Sequence, residues 1–312
     1  MRNPTSSVRL IAVVAAVALV ATSCWVGLGF NYANSRANTL ESTITAAASA
    51  DLAETWSYDE VDGVTSTPVV FGGDGEGDFY ALNRHTGAIE WSVNLDSHPH
   101  ARIFGSPVTV DGLVIIGVAS CELAISKPDY TFRGAVVAFD AVTGTELWRT
   151  YTTTNDAQAA PLSDALLAID YTIGTQDVVG VGDKAGVYAA LDRDTGATVW
   201  ARQLTTGGYL GGIMMTSAYA NGVIYASPNV MVNPGDYANA ANTSQTFAID
   251  ATDGSIIWEV TVPAASFVSP TVAGDVLYQP TTPGPLYAPC GFWCFGQPPN
   301  PAGGLIAFKP DL

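Results

Sequence analysis

The chain has 312 residues, of which 48% are apolar, and a formal net charge of −17 from 29 acidic and 12 basic residues. This composition is sufficient for a large folded core. The few Lys and Arg residues form no cluster, which excludes a surface built to neutralise the phosphates of nucleic acid.

The N-terminal segment, residues 1–23, predicts export. Two arginines precede the apolar run LIAVVAAVALVA, and Cys24 follows it, which is the three-part layout of a signal peptide. Cleavage, lipidation of Cys24 and retention as a membrane anchor remain open, because the apolar stretch approaches the length of a membrane-spanning helix. Each alternative places the folded part outside the cytoplasm and limits membrane contact to the N-terminus.

Residues 24–50 are polar and rich in small side chains, and we predict that they wrap around the folded domain of residues 51–312. Within it, residues 51–58 resemble an outer strand that carries a docking tryptophan, Trp56. The C-terminus ends on an A-x-K core with no tryptophan after it. We therefore predict that Trp56 closes a ring of blades against the blade that contains Phe308.

The chain repeats the unit A-x-D-x-x-T-G-x-x-x-W with small variations. The four copies are ALNRHTGAIEW from Ala81, AFDAVTGTELW from Ala138, ALDRDTGATVW from Ala190 and AIDATDGSIIW from Ala248. Each indicates a strand, a tight turn at glycine and a second strand. The tryptophan that follows has a large apolar surface suited to docking between repeats. We predict a structural role for Trp91, Trp148, Trp200 and Trp258.

Three hairpins of β-branched residues around Asp-Gly, Asn-Gly or Gly-Asp lie between these cores, and helical periodicity is lacking after the leader. The sequence therefore predicts an all-β propeller of four-stranded blades, with about five blades or a shortened form of a larger propeller. A further core at Ala168, Ile169 and Asp170 lies too close to Leu191 to be a full blade.

The cysteine positions predict one structural disulfide. Cys290 and Cys294 are close together in a Pro/Gly-rich loop, and in an oxidising compartment they are predicted to form a local disulfide. The chain lacks Cys-x-x-Cys-His, so no haem is expected. His98 and His100 are predicted to lie in a loop rather than to bind a metal.

Several longer segments carry a family resemblance. The repeat cores resemble the pyrroloquinoline quinone (PQQ) propeller repeat of quinoprotein dehydrogenases. The segments SDALLAID, VGVGDKAGVYAALDRDTGATVW and TTGGYLGGI are similar to the polyvinyl-alcohol-dehydrogenase-like branch. This resemblance implies a PQQ cofactor with Ca²⁺, an alcohol substrate of small or polymeric form, and an external electron acceptor.

The resemblance also implies roles for individual residues. Arg133 in TFRGAVVAFD and Lys184 in GDKAG match groups that contact PQQ, whose carboxylates and reduced quinone favour positive neighbours. Glu122 matches an acidic residue near the cofactor and is a candidate calcium ligand.

Departures from the family pattern leave the catalytic residue unassigned. The adjacent cysteine pair of the family is absent, the segment that bears its catalytic aspartate is shortened, and Met214 and Met215 replace a tryptophan. Asp164 and Asp170 are the nearest carboxylates that could replace the catalytic aspartate. Two functions remain open at this point: a PQQ-dependent alcohol oxidoreductase, and a non-catalytic propeller that serves as an exported or lipid-anchored binding or scaffold protein.

Overall fold

The computed structural model describes residues 54, 57, 71–73, 77–120, 122, 131–153, 165–207, 211–231, 242–262, 265–281 and 305–308. The predicted leader, the wrapping segment, Trp56, Asp164 and the Cys290–Cys294 disulfide lie outside these residues. All secondary-structure elements of the described part are strands, arranged in five antiparallel sheets. In this part of the chain, no helix has the length and hydropathy needed to cross a membrane.

Each sheet is built from strands that are consecutive in the chain. The first contains β1 (Phe71–Gly73), β2 (Asp78–Leu82) and β3 (Ile89–Asn94). The second contains β4 (Ala101–Arg102), β5 (Val108–Val110), β6 (Leu113–Ser120), β7 (Ala135–Asp140) and β8 (Glu146–Tyr151). The third contains β9 (Ala165–Ile173), β10 (Gln176–Asp183), β11 (Val187–Asp192) and β12 (Thr198–Gln203).

The fourth sheet contains β13 (Ala218–Ala220), β14 (Val223–Ala226), β15 (Asn229–Val230), β16 (Thr243–Asp250) and β17 (Ile256–Val262). The fifth contains β18 (Thr271–Ala273), β19 (Val276–Pro280) and β20 (Leu305–Phe308). The predicted all-β architecture is confirmed. The number of described strands varies: the first and fifth sheets have three, the third has four, and the second and fourth have five because each adds a short strand.

The third sheet resolves the irregular spacing of the sequence cores. Ala168 pairs with Val181 and Asp170 pairs with Val179, so the apparent extra core is part of β9. This strand is the first of the third sheet, and the core at Ala190 lies two strands later in the same sheet. The two cores are close in the sequence because both belong to the same blade.

Apolar side chains between neighbouring sheets form the core. Each boundary has its own cluster: Phe79 and Phe139 at the first, Ile115 and Val179 at the second, Tyr171 and Phe247 at the third, and Tyr225 and Leu277 at the fourth. The sheets thus stack face to face in chain order, as propeller blades do. Complete burial of one such aliphatic or aromatic side chain stabilises the fold by about 1.5–3 kcal/mol.

The repeated tryptophans connect each sheet to the next. The Nε1 of Trp91 donates to the carbonyl of Ala141 at 3.1 Å, and the Nε1 of Trp200 donates to the carbonyl of Ala251 at 3.0 Å. The indole of Trp91 also lies against Gly144, where an added Cβ would meet the ring at 2.7 Å. Trp91 and Trp200 thus lie against the sheet that follows their own. Trp258 contacts Phe308 instead, with ring centroids 6.1 Å apart.

The aspartate of each repeat, which is Asn83 in the first copy, closes the turn before the tryptophan. Asp140 Oδ1 accepts hydrogen bonds from the backbone nitrogens of Val142 and Thr143 at 3.0 and 2.8 Å and from the Thr143 hydroxyl at 2.9 Å. The hydrogen bonds from Thr143 hold the pKa of Asp140 below its ordinary value. The turn thus fixes the position of the tryptophan on the strand that follows.

Candidate functional site

The alternating strand direction separates the connections into two ends. We call the end with the tight turns at Asp111–Gly112 and Thr143–Gly144 the turn end. The opposite end, with Glu122, Arg133 and Lys184, is the loop end. Glu122 and Arg133 lie between β6 and β7, and Lys184 lies between β10 and β11. All three predicted site residues therefore lie at one end of the propeller.

Glu122 is fully buried at the loop end of the second sheet. Its carboxylate accepts hydrogen bonds from the backbone nitrogen of Thr131 at 3.1 Å, from the Thr131 hydroxyl at 2.9 Å and from the backbone nitrogen of Phe132 at 3.0 Å. Burial alone raises the pKa of Glu122, but the hydrogen bonds from Phe132 and Thr131 and the nearby His98 outweigh it, and the net pKa is lowered. The carboxylate therefore ties the chain after β6 to the start of β7.

His98 completes this cluster. Its Nε2 lies 2.8 Å from the Thr131 hydroxyl and 3.4 Å from Glu122 Oε1, and its ring meets Phe132 edge-on. The histidine lies in a loop, as predicted. Its contact with Glu122 was missed by the sequence reasoning, because no motif connects two residues so far apart in the chain.

Arg133 is directed towards the outer strand of its own sheet. Its Nε donates to the Thr153 hydroxyl at 3.1 Å, and its Nη2 donates to the Thr153 carbonyl at 2.6 Å. The guanidinium carbon lies 4.0 Å from the centre of the Tyr151 ring, within the range of a cation–π interaction. Since Tyr151 ends the exposed strand β8, Arg133 lies at the perimeter of the second sheet.

Lys184 lies in the turn Asp183–Gly186 and is 6% exposed. The connection that follows the third sheet packs directly on this turn: an added Cβ at Gly207 or Gly212 would meet the Lys184 carbonyl at 2.4 or 2.3 Å. The Ile213 nitrogen donates to the Asp183 carbonyl at 2.9 Å. The turn in GDKAG therefore packs against Gly207 and Gly212 of the segment TTGGYLGGI. Glycine is present where the two backbones are in contact.

Asp170 lies far from Lys184. It is 5% exposed and accepts a hydrogen bond from Arg193 Nη1 at 3.4 Å near the turn end. Asp170 is paired with Val179 on β10, five strand positions before Lys184. At ~3.3 Å per residue this separation is roughly 16 Å, too far for both side chains to act on one reacting atom.

Among the described residues, Glu122 does not belong to a group of carboxylates that would form a calcium site. Calcium needs six to eight oxygen ligands, whereas the Glu122 oxygens accept hydrogen bonds from Thr131 and Phe132. No group of three His, Cys, Asp or Glu side chains suited to a metal occurs among the residues that the structure describes.

The fold and its tryptophan-docked repeats define a β-propeller of the PQQ-repeat, quinoprotein-like superfamily. Residues 40–288 match the family described as Outer membrane protein assembly factor BamB, and the chain belongs to this family.

Two dehydrogenases are among its curated relatives. Polyvinylalcohol dehydrogenase from Pseudomonas sp. is 27% identical over 150 residues, covering 40% of this chain and 24% of that protein. Polyvinylalcohol dehydrogenase from Sphingopyxis sp. (strain 113P3) is 23% identical over 275 residues, covering 57% of this chain and 42% of that protein. The chain thus spans less than half the length of either relative.

The solved structures show the same fold. The crystal structure of BamB from Moraxella catarrhalis has a TM-score of 0.50 and 21% sequence identity, and the match covers 74% of this chain and 59% of that chain. At this identity the similarity establishes the propeller fold alone.

Proposed function

We propose that this chain is a non-catalytic PQQ-type propeller that acts outside the cytoplasm as an exported or lipid-anchored binding or scaffold protein. The observation that carries the proposal is the use of Glu122, whose oxygens accept three hydrogen bonds from Thr131 and Phe132. A carboxylate in this position stabilises a loop. A cation could bind it only by displacing some of these hydrogen bonds, which would cost free energy.

Two further placements support the proposed loss of catalysis, and the family match supports binding. Arg133 is held at the sheet perimeter by Thr153 and Tyr151, and Asp170 is paired with Arg193 towards the turn end. The matched family is described as an outer membrane protein assembly factor, which supports a protein partner and an extracytoplasmic location.

The second candidate function is a PQQ-dependent alcohol oxidoreductase with an external electron acceptor. Its specific support is Lys184, a buried residue at the loop end whose backbone packs against Gly207 and Gly212 of the next connection. The similarity to polyvinylalcohol dehydrogenase over 57% of the chain points the same way.

Reconstitution with PQQ and Ca²⁺ followed by dye reduction separates the two functions. Small alcohols and polyvinyl alcohol serve as substrates, and the matched variant is Lys184→Ala with its fold checked by circular dichroism. We expect no PQQ-dependent dye reduction by the wild type above that of the variant. Turnover that needs PQQ and disappears in Lys184→Ala would establish the oxidoreductase.

A further inference from the structure

Hydrogen bonds at the loop end connect the third, fourth and fifth sheets in one continuous network. The Ile213 nitrogen, in the connection between the third and fourth sheets, donates to the Asp183 carbonyl at 2.9 Å. The preceding residue, Gly212, exchanges two backbone hydrogen bonds with Asn229, of 2.9 and 3.0 Å. The connection of residues 211–217 is therefore bonded to both of the sheets that it joins.

Asn229 extends the network to the fifth sheet through its side chain. The residue lies at the loop end of the fourth sheet, where β15 follows β14, and is 2% exposed. Its Oδ1 accepts a hydrogen bond from the Ser266 nitrogen at 2.7 Å. The Ser266 hydroxyl accepts from Gln279 Nε2 on β19 at 2.7 Å and donates to the Pro280 carbonyl at 2.9 Å. One asparagine thus bonds both connections that flank its sheet.

We propose that these bonds make the loop ends of the third, fourth and fifth sheets one cooperative unit, which opens as a whole and which Asn229 holds together. We name it the Asn229 unit, and it consists of Asp183, residues 211–217, Asn229, residues 265–270 and Gln279. The inference concerns local opening of the fold and applies to either of the two candidate functions.

Burial couples the members of the unit. Asn229 and Ser266 are each 2% exposed, and Gln279 is fully buried. If residues 265–270 moved alone, the Asn229 oxygen and the Gln279 amide would both lose Ser266 and would stay buried without it. A buried polar group that loses its partner is left with its desolvation cost. Opening the neighbouring pieces together admits water to these groups, so the concerted opening costs less free energy.

The bonds of the repeated tryptophans couple the sheets in a different way. Trp200 Nε1 donates to the Ala251 carbonyl across the boundary between the third and fourth sheets. The Ala251 nitrogen donates to the Gly222 carbonyl of its own sheet at 2.9 Å, at the turn end. This bond is separate from the Asn229 unit. We therefore expect the turn end to open independently, and the Ala251 amide reports on it.

Native-state hydrogen exchange of the purified chain, followed for single amides by NMR at low urea concentrations, tests the unit. The amides of Ile213, Asn229 and Ser266 should exchange through one opening, with the same protection factor and the same dependence on urea. Protection factors of Ile213 and Ser266 that differ by more than about tenfold, or that depend differently on urea, would overturn the cooperative unit.

Asn229→Ala removes the side-chain acceptor and keeps the backbone bonds to Gly212. It should accelerate exchange by at least about tenfold relative to Ala251 at both Ser266 and Ile213. Ser266 loses its direct partner in this variant, whereas the Ile213 amide keeps Asp183 as its partner. The Ile213 result therefore distinguishes cooperative opening from a local loss, and unchanged exchange at Ile213 would contradict the proposal.

Asn94→Ala is the matched control, because Asn94 is exposed and its Nδ2 donates to Asp78 within the first sheet. It should leave the exchange at Ile213 unchanged relative to Ala251. Gln279→Met provides a second variant, which enters the unit from the fifth sheet and should also accelerate Ile213 by at least about tenfold relative to Ala251. Equal acceleration of Ile213 and Ala251 would show a global loss of stability and would overturn the unit.

Discussion

The Nε1 of Trp148 donates a hydrogen bond to the backbone carbonyl of Arg193 at 2.9 Å, across the boundary between the second and third sheets. The guanidinium of the same arginine bonds Asp111 of the second sheet at 3.0 Å. Gly196 lies beneath the indole, where an added Cβ would meet the ring at 2.5 Å. One tryptophan and one arginine thus join the two sheets through an apolar contact, a hydrogen bond and an ion pair.

Gly196→Ala should destabilise the protein more than Gly222→Ala. Both glycines have positive φ, 71° and 81°, but an added Cβ at Gly222 would meet no described atom within 4 Å, whereas one at Gly196 would meet Trp148 and Thr150. The difference measures the clash with the indole and the Thr150 hydroxyl, and we expect it to be about 1–3 kcal/mol in the free energy of unfolding from urea denaturation. Equal losses in the two variants would show that the indole does not dock on Gly196.

Arg193→Ala should cost about 3–5 kcal/mol of unfolding free energy, because it leaves the buried carboxylate of Asp170 without its cation. The Asp170 side chain is 7% exposed and that of Arg193 9%. Asp111→Asn is the control: its side chain is 74% exposed, so the loss should stay below about 1 kcal/mol. Similar losses in the two variants would contradict a buried ion pair.

Glu122→Gln should reduce the loss of stability that accompanies a fall in pH. The pKa of Glu122 in the folded protein lies below its ordinary 4.5, so its contribution is complete above pH 4.5 and is lost as the pH falls through the folded pKa. Melting temperatures between pH 7 and pH 3 should therefore fall more steeply for the wild type than for the variant. Glu259→Gln, an exposed change, should keep the wild-type slope, and a wild-type slope in Glu122→Gln as well would refute the assignment.

Tyr171→Phe should leave the protein equally stable or stabilise it by up to about 1 kcal/mol. The Tyr171 residue is 2% exposed, its hydroxyl has no hydrogen-bond partner among the residues that the structure describes, and burial raises the pKa of the phenol. Removing a buried polar group without a partner removes its desolvation cost and keeps the ring packed on Tyr219. A loss above about 1 kcal/mol in urea denaturation would mean that the hydroxyl is bonded after all.

The repeat allowed much of the fold to be predicted. Local rules place Asp140, Gly144 and Trp148 within one turn and strand, so their spacing in the sequence carries the geometry. The hairpins at Asp111–Gly112 and Asn221–Gly222 were predicted for the same reason and are observed. Asp170 was harder to place, because an Ala-x-Asp triplet occurs both in the repeat core and in the plain strand β9.

The candidate site depends on contacts that local patterns do not encode. Glu122 bonds Thr131 and Phe132 across an intervening loop, and Arg193 bonds Asp111 from another sheet. The resemblance drew attention to Glu122 and Arg133, which both lie at the loop end, and their contact with a cofactor stays a prediction. It could not give the direction of the Arg133 side chain, which Thr153 and Tyr151 determine.

The central claim is that this propeller has a binding function and no PQQ site. Its most direct test is the thermal midpoint of the purified protein with PQQ alone, with CaCl₂ alone and with both. The account predicts no change beyond that of either additive alone. A ligand that binds the native state at 100 times its Kd stabilises it by about 2.7 kcal/mol, a shift of several degrees. A rise of this size that needs both PQQ and Ca²⁺ and is absent from folded Lys184→Ala would contradict the account.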